Sequence, residues 1–286
     1  MIVAAGLSGL ILVVAWLGFL WARGQLNDLD VPVVSTLGDV KSGETVMAIW
    51  AHPDDEITCA GTLARLSASG VRVVLVYLTR GEAARDTGYD RDALAQVRTL
   101  EARAAGDHLG AIHTEVLTWP DSGLSKTDMA QVLPVLRDLI GRFSPQVLIS
   151  FDDRVGFYGH PDHVAVARWS RALAGEPGTP IRSLYQVTLP RALIAIALKF
   201  VAAFRDNYPT DPARGLPAPS HAVAIWSVAG RKRRLLDIHR SQARVIADVQ
   251  PYYDRLPAWL YYRLFDREYF TQVDPAGLRP EPGQHA

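Results

Sequence analysis

Apolar and polar positions change period several times along this chain, and the changes mark out its elements. Thr45–Trp50, Val71–Leu78, Thr114–Thr118 and Gln146–Phe151 are short apolar or β-branched runs, the pattern of strands buried on both faces. Between them the apolar spacing becomes helical. Ile57, Ala60, Leu63 and Ala64 line one face of Glu56–Ser69, which Gly70 ends, and Leu94, Val97, Leu100 and Ala104 line Arg91–His108. A third helix is predicted over Asp128–Arg142. Four alternations of strand and helix predict an α/β domain, Rossmann-like and three-layered, with a mostly parallel sheet and helices on both faces.

Two stretches depart from that rhythm. Ile2–Ala22 has no charged residue and is long enough to cross a bilayer as a helix, with Trp16 and Trp21 toward one end. No Lys or Arg precedes it, so a single uncleaved transmembrane anchor over residues 1–23 is expected rather than a signal peptide. Arg23 is the first basic residue and follows the span, which by the positive-inside rule puts the rest of the chain in the cytoplasm. Residues 24–44 read as a linker, 45–275 as the globular domain and 276–286 as a flexible tail. The second stretch, Pro190–Phe204, is mostly apolar but too short to span a membrane. It reads either as a buried helix or as an interfacial one, and a Pro-rich loop, Asn207–Ser220, follows it.

Composition narrows the functional classes. The 286 residues carry zero formal net charge, so no nucleic-acid partner is expected. Cys59 is the only cysteine, which excludes an intramolecular disulfide and a cysteine zinc site. Any metal must sit on His, Asp or Glu.

Two clusters supply such groups: His52-Pro53-Asp54-Asp55-Glu56 after the first strand, and Tyr158-Gly159-His160-Pro161-Asp162-His163 after the fourth. In a parallel sheet the loops after successive strands share one edge, so the clusters are expected to meet in one crevice. His52 and Asp55 can offer one nitrogen and one oxygen to a metal, leaving Asp54 free to take a proton from bound water. An acidic first helical turn would produce the same three carboxylates without chemistry. If one of His160 and His163 completes the ligand set, the other is left as a general acid whose ring Asp162 can fix, and Tyr158 can donate to a developing oxyanion. The reading is a metal-dependent hydrolase. A nucleotide-binding module lacks support, because no Gly-rich phosphate turn follows the first strand.

The paired motifs resemble the signature of the PIG-L/LmbE-like N-acetylglucosaminyl deacetylases, and the resemblance extends over most of residues 45–250. It implies Zn2+, with Fe2+ as the alternative, on His52, Asp55 and His163. It implies Asp54 as general base, His160 as general acid and Tyr158 as an oxyanion or substrate contact. By the same analogy Arg98 and Asp121 touch sugar hydroxyls, and His239, within a matching His-Arg-Ser-Gln segment, contacts substrate or its surroundings. Each has a plainer reading: Arg98 with Glu101 as a surface i,i+3 ion pair, Asp121 as turn chemistry, His239 as a structural histidine. The implied reaction removes acetate from an N-acetylglucosaminyl conjugate, either a small soluble glycoside or, given the anchor, a glycolipid such as an N-acetylglucosaminyl phosphatidylinositol. Rival readings are a family amidase or esterase acting on another substrate, and a membrane-anchored metal-binding protein without catalysis.

Overall fold

A computed structural model describes residues 2–85, 87–274 and 278. Its centre is one eight-stranded sheet. The strands are β1 (Val33–Val34), β2 (Thr45–Trp50), β3 (Arg72–Tyr77), β4 (His113–Val116), β5 (Val147–Ser150), β6 (Ser183–Thr188), β7 (His221–Ala224) and β8 (Arg267–Val273). They lie in the order β1-β7-β8-β6-β5-β2-β3-β4, and β8 alone runs antiparallel to its neighbours. The α/β fold with a mostly parallel sheet is thus as expected.

Alternation along the central strands builds the three layers. Val46, Ala48 and Trp50 of β2, with Val73, Leu75 and Tyr77 of β3, face the helices Ala60–Ala68, Arg91–Leu109 and Ala229–Ile238. Met47 and Ile49, with Val74 and Val76, face Met129–Phe143 and Pro161–Gly175. Every one of these strand residues is fully buried, the condition under which a strand reads as an unbroken apolar run. Local chemistry sets the helix ends. The Asp90 carboxylate accepts from the Ala93 N–H at the start of Arg91–Leu109, and Gly110 closes that helix at φ 74°, a left-handed conformation that favours glycine.

The amino-terminal expectation needs correcting. The segment does form a helix, Ile2–Leu26, but no helix among the described residues is long and apolar enough to cross a membrane. The end of this helix is instead fastened to the domain. Arg23 pairs with Asp266 at 2.6 Å, the Asn27 amide donates to Leu264 O at 2.6 Å, and the Tyr269 hydroxyl accepts from Asp28 N at 2.8 Å. The expected single-pass anchor, and the orientation derived from it, therefore do not hold for the described residues. Residues 24–44 are not a free linker either, since β1 pairs in parallel with β7 and Leu37 is fully buried. The tail expected over 276–286 lies outside the described residues, apart from residue 278.

Pro190–Phe204 forms the helix Arg191–Phe200 and the start of a second, Ala202–Asn207. Ala197, Val201 and Phe204 bury themselves against Phe157 and Tyr158, so this segment backs the loop that follows β5.

Candidate active site

Strand order reverses between β2 and β5: the chain leaves β2 for β3 on one side and returns to β5 on the other. Such a reversal opens a crevice at the strand carboxyl ends, between the two loops that carry the motifs. Thr79 ties a third loop to its edge, donating through its hydroxyl to Ala51 O and accepting from Gly81 N.

The first loop holds Asp54 under strain, at φ 102° and ψ −17°, a region that non-glycine residues rarely occupy. Several contacts maintain it. The Asp54 N–H donates to Glu56 Oε2 at 3.1 Å, and Arg98 reaches Asp54 Oδ1 at 3.2 Å while also donating to the carbonyls of Gly81 and Pro53. The fully buried Glu56 meets His239 through a very short contact between Oε1 and Nε2. Burial pushes the Asp54 carboxyl up to about 6, with Arg98 opposing and Asp55 adding to the rise.

The second loop is built around Asp152, whose carboxylate accepts from the N–H groups of Arg154, Val155 and Phe157. The turn brings Gly156 O to 3.0 Å from His163 Nδ1. Gly156 sits at φ +64°, and a Cβ there would lie 2.7 Å from His163 Cβ, so only glycine fits. The next helix then starts at Pro161, with the His160 ring as its cap: Nδ1 accepts from Asp162 N at 3.2 Å.

His52, Asp55 and His163 are buried and present ligand atoms within 4.8 Å of one another. The His163 Nδ1–H donates to Gly156 O, which turns Nε2 toward the crevice, 3.3 Å from Asp55 Oδ1 and without a hydrogen-bond partner. His52 Nδ1 lies 3.6 Å from Asp55 Oδ2. Its Nε2 lies 3.1 Å from Asp121 and 3.7 Å from Asp162, close to both but aligned for a hydrogen bond with neither. Burial opposes charge on His52, yet Asp121, Asp162 and Asp55 outweigh it and hold the ring well above the usual imidazole range. Burial likewise opposes ionisation of Asp55, but His163 and His52 pull it well below the carboxylate range. Buried carboxylates around orphaned imidazole nitrogens form a donor set suited to a divalent cation such as zinc. A second set, His52, His160 and Asp162, shares one histidine with it.

His160 stacks 4.6 Å from His163, centroid to centroid, and burial, then His163 and His52, lower its pKa to about 4. Tyr158 lies edge-on to His163 at 5.2 Å, its hydroxyl held protonated chiefly by burial. Seven of the nine expected site residues, namely His52, Asp54, Asp55, Asp121, Tyr158, His160 and His163, are thus brought to one crevice. Arg98 and His239 stand behind it.

The surroundings differ from expectation in four ways. Arg98 and Glu101 do not pair: Arg98 is buried on the Asp54 loop, and Glu101 accepts from the backbone and hydroxyl of Ser241. Asp121 accepts from Ala83 N at 2.7 Å and turns its other oxygen toward His52. The Asp162 carboxylate faces His52 rather than the ring of His160. His239 has no exposed surface and meets Glu56. Glu56 and Asp152, to which the sequence reading gives no role, also build the site. Asp152, just past a strand and four positions before Gly156, carries a turn signal readable in the sequence, whereas nothing local links Glu56 to His239.

Comparison with known proteins agrees with this geometry. The GlcNAc-PI de-N-acetylase (PIG-L) family matches residues 47–174. The 1D-myo-inositol 2-acetamido-2-deoxy-alpha-D-glucopyranoside deacetylase of Thermomonospora curvata is 28% identical, covering 84% of this chain and 94% of its own. The Nakamurella multipartita protein of the same name is 30% identical over 77% of this chain and 88% of its own. Among solved structures, N,N'-diacetylchitobiose deacetylase from Pyrococcus horikoshii aligns with a TM-score of 0.59 at 20% identity, covering 84% and 88% of the two chains. The 4-carboxy-2-hydroxymuconate hydratase of Pseudomonas putida aligns at 0.56 with 20% identity over 80% and 96%, so the fold by itself does not fix a reaction. Family and donor set together do: the chain belongs to the PIG-L family of de-N-acetylases and is a hydrolase of N-acetyl amide bonds.

Proposed function

We propose that the protein removes the acetyl group from an N-acetylglucosaminyl conjugate, with a GlcNAc–inositol glycoside as the favoured substrate. The observation that carries this reading is the convergence of His52, Asp55 and His163, two of them with orphaned ring nitrogens, beside a strained Asp54. The relatives named for a GlcNAc–inositol deacetylase support the choice of sugar and aglycone.

In this reading His52, Asp55 and His163 hold a divalent ion, Zn2+ or Fe2+. When bound, such an ion polarises the acetamide carbonyl and lowers the pKa of a water. Asp54 accepts the proton from the attacking water and is aimed by Arg98 and by Glu56, itself paired with His239. Tyr158, kept protonated by burial, donates to the developing oxyanion. His160 accepts at Nδ1 from the helix start, so the neutral ring carries its proton on Nε2; that N–H donates a hydrogen bond to the departing amine, and the proton the amine takes up is the one Asp54 removed from the water. Asp121 and Asp162 orient His52, and Arg98 acts through Asp54 rather than on a sugar hydroxyl. Acetate and a free glucosamine amine are the products.

The deciding experiment is acetate release from GlcNAc–inositol, GlcNAc-phosphatidylinositol and simple GlcNAc glycosides, before and after chelation and zinc restoration. Chelator-sensitive release from the inositol glycoside supports the reading. Release only from the lipid-linked compound moves the aglycone, and no release from any of them refutes it.

A further inference from the structure

The apolar stretch after Pro190 has no part in the chemistry described so far, yet its second helix, Ala202–Asn207, is seated against the loop that carries Tyr158. That loop is strained. Phe157 sits at φ 72° and ψ −57°, a conformation that non-glycine residues rarely adopt and that persists only where the surroundings hold it. Asp152 supplies one restraint, accepting from Phe157 N at 2.8 Å. The helix supplies another. Phe204, 3% exposed, meets the Phe157 ring edge-on at 5.7 Å and lies 6.1 Å from the ring of Tyr158, centroid to centroid. Where the helix ends, backbone meets backbone: Gly159 has φ +109°, and a Cβ there would collide with Asn207 O.

The helix is itself fixed from outside. A six-residue helix has too few internal hydrogen bonds to hold its own shape. Asp248 accepts from Ala202 N at 3.1 Å with one carboxylate oxygen and from Ala203 N at 3.3 Å with the other, which ties the helix start to the helix Ala243–Val249. Phe204 also stacks on Tyr208 at 5.6 Å, and the Tyr208 hydroxyl accepts from Leu216 N at 2.8 Å. The Phe204 ring therefore has a fixed place behind Tyr158. On the crevice side Tyr158 meets only the rings it must be placed against, His160 at 5.9 Å and His163 at 5.2 Å. A hydroxyl that donates to a developing oxyanion is sensitive to its position, since a misplacement of about 1 Å can cost about 10²-fold in rate.

We propose that Phe204 is a positioning residue for the deacetylation: directly and through Phe157 it holds the Tyr158 hydroxyl at the reacting centre, and Asp248 fixes the helix that carries it. This rests on the deacetylase reading above and deepens it, giving residues 191–207 a share in the rate.

Two measurements test it on the full chain loaded with zinc. The first is a double-mutant cycle with Tyr158→Phe, run where circular dichroism shows every variant folded. Phe204→Ala lowers kcat about tenfold, keeps KM within about twofold and keeps wild-type zinc content, and Phe204→Leu recovers part of the rate. In the Tyr158→Phe background the hydroxyl is already gone, so Phe204→Ala costs less than about twofold more. If the alanine variant does not fold, Phe204→Leu takes its place in both experiments, with a smaller loss in the same pattern. Equal losses in the two backgrounds, a wild-type kcat in the single variant, or a fall in rate matched by lost zinc each overturn the proposal. The second measurement compares crystal structures of wild type and Phe204→Ala and needs no turnover. The Tyr158 ring leaves its edge-on contact with His163 while His52, Asp55 and His163 keep their places. An inert wild type strikes the deacetylase reading, and this comparison then decides the placement of Tyr158 by itself: a ring that stays where it is overturns the role of Phe204.

Discussion

Two buried carboxylates, Glu268 and Asp55, sit on opposite sides of the helix start that follows β2 and are treated in opposite ways. Glu268 is fully provided for. One oxygen accepts from Gly61 N at 2.9 Å and from Lys232 at 2.6 Å, and the other accepts from the backbone and hydroxyl of Thr62, both at 2.6 Å. It caps the helix Ala60–Ala68 and pins it to β8, at a position where negative charge also favours the helix dipole. Asp55 faces His52 and His163, whose Nε2 atoms are buried without a hydrogen-bond partner. A buried polar group without a partner costs about 1–3 kcal/mol. Two unpartnered imidazole nitrogens grouped with the Asp55 carboxylate, unlike the fully met Glu268, mark a place where an ion would fit.

That contrast can be broken at either end. The largest effect is expected from chelation. Removing the divalent ion abolishes acetate release while far-UV circular dichroism stays unchanged, because the Glu268 contacts do not depend on it, and added zinc restores the rate. Next is stability. Glu268→Gln leaves Lys232 buried without a counter-ion and lowers unfolding free energy by about 3–5 kcal/mol in urea titrations, whereas the double change with Lys232→Met recovers part of the loss. Tyr158→Phe removes one donor from the crevice and lowers kcat by about 10²-fold in steady-state assays, with little change in stability. The smallest expected effect is on pH dependence. Asp54 acts as a base only when ionised, so kcat/KM falls toward acid with a limb at or below about pH 6, where burial places its carboxyl. Arg98 favours the ionised form, so Arg98→Gln raises the Asp54 pKa and moves that limb to higher pH.

Much of the crevice was legible in the sequence because it depends on local signals. Apolar runs ending at Trp50 and Ser150 placed His52 and His160 on strand ends, and the parallel order then required their loops to meet. The parts that were not legible depend on distant pairings. β8 joins the sheet antiparallel between β6 and β7, and β1 recruits residues that read as a linker, yet no local period encodes either pairing. The Glu56–His239 contact joins residues far apart in the chain. Arg98 looked like a helix-surface ion pair because Glu101 lies three positions on, but three acceptors on the Asp54 and Gly81 loops claim it. At the amino terminus the absence of charge up to Ala22 suggested a membrane span, whereas the helix is fastened to the domain through Arg23 and Asn27.

The division of labour between Asp55, as ligand, and Asp54, as base, is the centre of this account. It is tested most directly by measuring bound zinc and acetate release together on purified Asp54→Asn. The account predicts wild-type zinc content with turnover reduced by about 10²–10⁴-fold. Loss of zinc, or zinc retained with near wild-type turnover, would contradict it.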